Sequence, residues 1–167
     1  MVIEDKVNNI LRNHESWKKA HRRGDRKRVQ ELRDRFEQAA GELMKTAEGR
    51  AAMEGLLKNP SSRLRYAVST AVIEWAPAKA IPVLARLIHE PFDEEMEPWE
   101  EVSVRTYACM PLAEHFGYHP SNWSELPERL AKMGIDLPEE TVRLLHWGRD
   151  TNRAGAIPDA PAQERKR

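Results

Sequence analysis

Residues 59–91 read NPSSRLRYAVSTAVIEWAPAKAIPVLARLIHEP: a turn, an amphipathic arginine-bearing segment, a proline break and a second amphipathic segment. That order of parts is a helical hairpin. One such hairpin has an apolar face that it cannot bury by itself, so it must stack on neighbours. The expectation is an all-α stack of helices that presents a surface.

Working outward, the stripe Leu64, Ala67, Val68, Ala71, Val72 and Trp75 places one face of the first helix in a core, with Ser61 or Ser62 as its cap. Pro82 lacks an N–H and is best placed in a first turn, so the second helix is expected to start near Ile81 and to bury Val83, Leu84, Leu87 and Ile88. Upstream, apolar residues at steps of three and four predict helices over 2–22, 26–46 and 49–58, with Gly24 and Asp25 breaking the first pair and Asn59-Pro60 ending the third. Downstream, Pro98 opens a helix expected to turn Trp99, Val102, Val104, Tyr107, Ala108 and Leu112 to the core and to break or kink at Pro111. Short helices follow over 124–133, with Leu126, Leu130 and Met133 inward, and over 138–147, with Val142, Leu145 and His146 inward. The reading is about eight helices in one domain over residues 1–150, and a disordered polar tail over 151–167.

A chain of 167 residues is long enough to bury a core without staples. Charged residues make up 32% and mean hydropathy is −0.72, which describes a soluble, surface-rich chain. The N-terminal MVIEDKVNN has acids where a secretion signal would have bases, and no apolar run approaches the roughly 20 residues of a membrane span. Cys109 is the single cysteine, so no intrachain disulfide can form. Together these place the chain in the cytoplasm, with no membrane partner.

Net charge is zero, yet the charges are segregated. Lys18, Lys19, Arg22, Arg23, Arg26, Lys27 and Arg28 crowd one segment, whereas no Lys or Arg occurs between Arg86 and Arg105, where seven acids lie. Opposite patches on a neutral chain signal interaction surfaces. In the acidic connector, Phe92, Met96 and Trp99 stand among Asp93, Glu94, Glu95, Glu97, Glu100 and Glu101, which is the pattern of apolar anchors in a charged rim expected of a protein interface. Its plainer alternative is a solvated loop with Trp99 folded into the core. The basic segment could follow a phosphate backbone, with Trp17 and His21 stacking on a base, although a sequence pI near 7.0 falls short of the usual nucleic-acid footprint.

No constellation for catalysis is visible: there is no phosphate loop, nucleophile elbow or cysteine pair, and an exposed acidic loop offers little desolvation to raise a carboxyl pKa. His115 and His119 have a zinc-compatible spacing, but Gly117 and Pro120 end the helix there, which favours a capping role. His14 and His21 lie two turns apart, too far to share a metal easily. No enzyme activity, cofactor or metal is expected.

The hydrophobic-Arg pair Leu64-Arg65 followed by alanines, then Ala80, Pro82, Leu84 and Leu87, resembles a HEAT repeat. Arg105 echoes Arg65 forty residues on, within the roughly 40–47-residue period of such repeats. From Arg35 to Ile88 the chain is similar to a bacterial family of small HEAT-like domains, through Gly49-Arg50-x-x-Met53-x-x-Leu56-Leu57, a proline turn and an Arg-x-x-Ala helix. That covers about a third of the chain, and residues after Pro91 depart from the pattern. The resemblance implies a right-handed HEAT-like stack of antiparallel hairpins and a non-catalytic protein-binding role, in its most concrete form an immunity or antitoxin protein that neutralises a toxin with a cationic active site. The alternative is nucleic-acid binding, as in the HEAT-like DNA glycosylases, which the chain resembles in architecture alone.

Overall fold

The computed structural model describes residues 2–92, 97–119 and 123–153, the last seven by backbone only. Among them are eight α-helices and no strand: α1 (Ile3–Arg22), α2 (Arg26–Leu43), α3 (Ala47–Leu56), α4 (Ser62–Val72), α5 (Pro77–His89), α6 (Pro98–Phe116), α7 (Leu126–Ala131), preceded by a 3₁₀ turn at Trp123–Glu125, and α8 (Glu139–Arg153). The chain divides into two compact units, Met1–Pro111 and Leu112–Arg167.

In the first unit α1 and α2 form a hairpin. Gly24 takes a left-handed turn (φ 69°) and Asp25 caps α2 by accepting from the Arg28 N–H at 3.0 Å. Lys6 pairs with Glu42 at 2.7 Å, tying the start of α1 to the end of α2 and showing the antiparallel sense. Ile10, Ala20, Leu32, Ala40 and Leu43 are the buried residues of the two helices.

The Gly-Arg motif now has physical content. A Cβ on Gly49 would lie 2.1 Å from the Leu43 carbonyl oxygen, so only glycine lets α3 start against the end of α2. Thr46 caps α3 through the Gly49 N–H at 3.0 Å, and Arg50 Nε donates to the Met44 carbonyl at 2.8 Å, satisfying the end of α2. Met53, Leu56 and Leu57 are buried.

The hairpin that opened the sequence reading is present as α4 and α5, which pack on each other. Ser61 is the N-cap position of α4 but makes no side-chain cap; its hydroxyl lies 2.7 Å from His14 Nε2 instead. The turn before it is held by Asn59 Oδ1, which accepts from the Ser61 N–H at 2.9 Å. α5 starts at Pro77, four residues earlier than expected, and Pro82 lies inside it. α6 likewise runs unbroken through Pro111. The earlier start of α5 and the absence of a break at Pro111 have one reason. Each proline frees the carbonyl four residues back, at Ala78 and Tyr107, and both of those residues are exposed, so water can take the missing bond.

α6 differs from expectation in its faces. Val104, Ala108 and Leu112 are buried, but Trp99, Val102 and Tyr107 are 57%, 62% and 54% exposed. At 100° per residue, positions 99, 102, 106 and 110 lie opposite 104, 108 and 112, with 107 on the flank, while buried Cys109 and Ala113 share the side of 102 and 106, so the exposed stripe belongs mainly to the N-terminal part of the helix.

In the second unit Leu126 and Leu130 are fully buried, and Thr141 of α8 is buried too. Met133 and His146, expected inward, are exposed, with His146 Nε2 3.3 Å from the Ser124 carbonyl. α8 extends to Arg153, three residues into the segment expected as a tail; residues 154–167 lie outside the described residues.

Candidate protein-docking face

The site is built where α6 begins. Glu97, Pro98 and Glu100 occupy the N-cap, first and third helical positions, and Glu100 Oε2 accepts from the Glu97 N–H at 3.2 Å, which is the return half of a capping box. This turns Glu100 inward. Sequence reading placed Glu100 in the exposed acidic rim; instead it is 8% exposed, with Oε1 2.6 Å from Arg63 Nη2 of α4 and 3.3 Å from His21 Nε2 of α1. The second approach lacks hydrogen-bond alignment, since His21 Nε2 is buried without a hydrogen-bond partner. Glu100 is therefore a structural tie for α1, α4 and α6.

Around that tie the rings stack. His14 and Trp17 have centroids 6.3 Å apart, Trp17 and His21 4.8 Å, and His21 and Trp99 5.2 Å, while the Arg63 guanidinium lies 4.8 Å from the Trp17 ring centroid. Burial holds the His21 pKa below its ordinary value, the Arg63 charge lowers it further, and Glu100 opposes both. A neutral imidazole against Trp17 is thus the state built into the fold.

The other expected docking residues divide. Glu101 is taken by Arg105, whose Nε and Nη2 donate to its Oε1 at 3.1 and 2.6 Å. Phe92 is half-buried, with the Arg105 guanidinium 4.6 Å from its centroid. Glu97 is exposed and forms no ion pair among the described residues. Asp93, Glu94, Glu95 and Met96 lie outside the described residues.

Of the basic set, Lys18 pairs with Glu15 at 3.2 Å and Arg28 with Glu31 at 2.9 Å. Lys19, Arg22, Arg23, Arg26 and Lys27 are exposed around the α1–α2 turn and form no ion pair among the described residues. Because His21 meets Glu100, the end of α1 carrying these bases stands beside the first turn of α6. The basic end of α1 and the described acids at the start of α6 thus lie close together, although they are far apart in sequence.

Sequence reasoning named Trp99 as an anchor but missed the rest of the outer stripe of α6. Trp99, Val102, Thr106, Tyr107 and Met110 recur at helical steps and are all exposed. Tyr107 stacks on Tyr66 of α4 at 6.4 Å, and Ser103 donates to the Trp99 carbonyl at 2.8 Å. The signal was legible as apolar residues on both sides of one helix, a pattern that a helix packed on one side cannot bury.

Other candidate chemistry is silent. Cys109 is buried and its thiol pKa is pushed up to about 12 by desolvation, so it is protonated at neutral pH. Among the described residues no group of three or more His, Cys, Asp or Glu is placed to hold a metal, and no helix is long and apolar enough to cross a membrane. Comparison with family models, curated proteins and solved structures returned no match.

Proposed function

We propose that this chain is a non-catalytic protein-binding module with a HEAT-like helical scaffold, docking its partner on the outer stripe of α6. The observation that carries the reading is the exposure of Trp99, Val102, Tyr107 and Met110 along one helix face. Scattered exposed apolar residues are ordinary, but a contiguous stripe with aromatic anchors is the composition of an interface core. Charges of both signs are close in the chain or the fold: Glu97 and Glu101 at the start of α6, and Arg22 and Arg23 at the end of α1, which meets α6 through His21.

The partner is a folded protein that offers an apolar groove or facing helix. In the immunity or antitoxin form of the proposal, that partner is a toxin, and the acids Asp93–Glu97 approach its cationic site. Co-expression with the product of an adjacent gene, followed by size-exclusion chromatography and titration calorimetry, tests this. A stoichiometric complex lost on Val102→Asp or Tyr107→Asp supports it; a complex untouched by both removes α6 from the interface. Reversing Glu94, Glu95 and Glu97 to lysine should slow association with a cationic toxin, and unchanged kinetics would leave the acids out.

One observation favours a second reading. Five exposed bases lacking ion pairs among the described residues surround the α1–α2 turn, beside Trp99 and His21. Nucleic-acid binding through them predicts salt-dependent affinity for single-stranded DNA, abolished by reversing Arg22, Arg23 and Arg26.

A further inference from the structure

The start of α6 is held by a polar side chain and a ring in place of apolar burial. Among residues 97–103 Glu100 alone is buried, and the first apolar residue of α6 inside the core is Val104. Two contacts tie this stretch to the rest of the first unit: the Glu100 carboxylate on Arg63 of α4, and the Trp99 ring against His21 of α1. A stretch with so little buried apolar surface is where local opening costs least.

His21 stands where both contacts meet. Its Nε2 lies 3.3 Å from Glu100 Oε1, yet Arg63 Nη2 holds the same oxygen at 2.6 Å, and Nε2 is buried without a hydrogen-bond partner. The other carboxylate oxygen, Oε2, accepts from the Glu97 N–H at 3.2 Å. Trp17 stacks on the imidazole at 4.8 Å and Trp99 leans on it at 5.2 Å. A protonated imidazole donates from both nitrogens and carries a charge. Here it adds a second cation to a carboxylate already paired, in a place where burial has removed water. The Trp17 ring, which could otherwise stabilise that cation, already carries the Arg63 guanidinium 4.8 Å from its centroid. Neutral imidazole fits this arrangement, and imidazolium does not.

We infer that His21, Arg63, Glu100 and Trp99 form a proton-sensitive latch, in which protonation of His21 favours detachment of the first turn of α6 from α1 and α4. The charged groups that act on His21 are Arg63 from α4 and Glu100 from α6, and they oppose each other; burial and Arg63 prevail, holding the imidazole below its ordinary pKa of 6.5. By linkage, the arrangement that binds the proton less readily loses population as pH falls. The latch is therefore firmest above about pH 6.5, weakens by up to about tenfold per pH unit from there to the folded value, and stays level below it.

Trp99 heads the outer stripe of α6, so acid also withdraws an aromatic anchor from the docking face. That consequence rests on the proposed docking role. The latch itself does not, and it is tested on the unbound chain.

The test is an NMR titration of the full chain from about pH 7.5 to about pH 5. The carbon-bound imidazole protons of His21 report its protonation, and nitrogen-15 relaxation dispersion of the Trp99 indole N–H reports the detached fraction. The expected result is a His21 midpoint below the ordinary histidine range and Trp99 dispersion that grows several-fold over the same interval, while the Leu84 amide of α5 stays unchanged. Arg63→Gln removes the competing cation and frees Glu100 Oε1 for His21, so the His21 midpoint should rise and the growth of Trp99 dispersion should be lost. His21→Phe keeps a ring on Trp17 but takes no proton, and should make the Trp99 signal independent of pH. A His21 midpoint at or above its ordinary value in the unsubstituted chain overturns the latch, as does Trp99 dispersion that is flat with pH or that grows equally in His21→Phe.

Discussion

α5 and α6 are both long, both apolar and both carry a proline in their interior, yet they have opposite relations to solvent. In α5, Ala80, Ile81, Val83, Leu84, Ala85, Leu87 and Ile88 are all buried, and its exposed positions are small or charged. In α6, buried Val104, Ala108 and Leu112 face away from exposed Trp99, Val102 and Met110, with Tyr107 exposed on the flank. The same apolar content therefore does different work: α5 holds the first unit together, whereas the outer half of α6 is apolar surface that folding does not require.

Substitutions separate the two roles by size. Leu84→Ala in α5 removes a fully buried side chain and should lower stability by about 2–5 kcal/mol in urea denaturation. Next, Glu100→Gln leaves Arg63 facing a neutral amide and should lose about 1–3 kcal/mol; an unaffected protein would mean that Glu100 is not the tie between α1, α4 and α6. Gly49→Ala forces a methyl against the Leu43 carbonyl and should destabilise by about 1–3 kcal/mol, although alanine is the better helix former. Val102→Ala on the outer stripe should shift stability by no more than about 0.5 kcal/mol. A loss as large as that of Leu84→Ala would make the stripe part of the core and erase the contrast with α5.

The smallest effect concerns pH. The folded state holds His21 below its ordinary pKa of 6.5, so the unfolded chain binds its proton more readily. The stability contributed by neutral His21 is complete above about pH 6.5 and is lost as pH falls through the depressed folded value. His21→Gln should flatten the stability profile between about pH 6.5 and the lower folded value; an unaltered profile there would show that folding leaves the His21 titration where the unfolded chain has it.

The α4–α5 hairpin was plain in sequence because each helix has a single apolar stripe and proline and asparagine mark the turns. The Gly49 motif was visible as a pattern, but its cause, a 2.1 Å collision with the end of α2, needs the neighbouring helix in place. Pro82 and Pro111 misled because a proline's penalty depends on whether the freed carbonyl meets water, which sequence does not state. Glu100 was misread for a related reason. In composition it is one acid among seven, whereas the spacing Glu97-Pro98-x-Glu100 is a capping signal that turns it inward toward Arg63. The outer stripe of α6 was hidden by the assumption that apolar residues on a helix all seek the core.

The most direct measurement is photo-crosslinking in the native host from a benzophenone side chain placed at Val102, at Tyr107 and, as control, at exposed Gln38 of α2. Docking on α6 predicts one and the same protein joined from positions 102 and 107 but not from 38, with its affinity for the purified chain falling at least tenfold on Trp99→Ala while the denaturation midpoint stays within a few tenths of molar. Equal crosslinking from all three positions, or an affinity indifferent to Trp99, would contradict it.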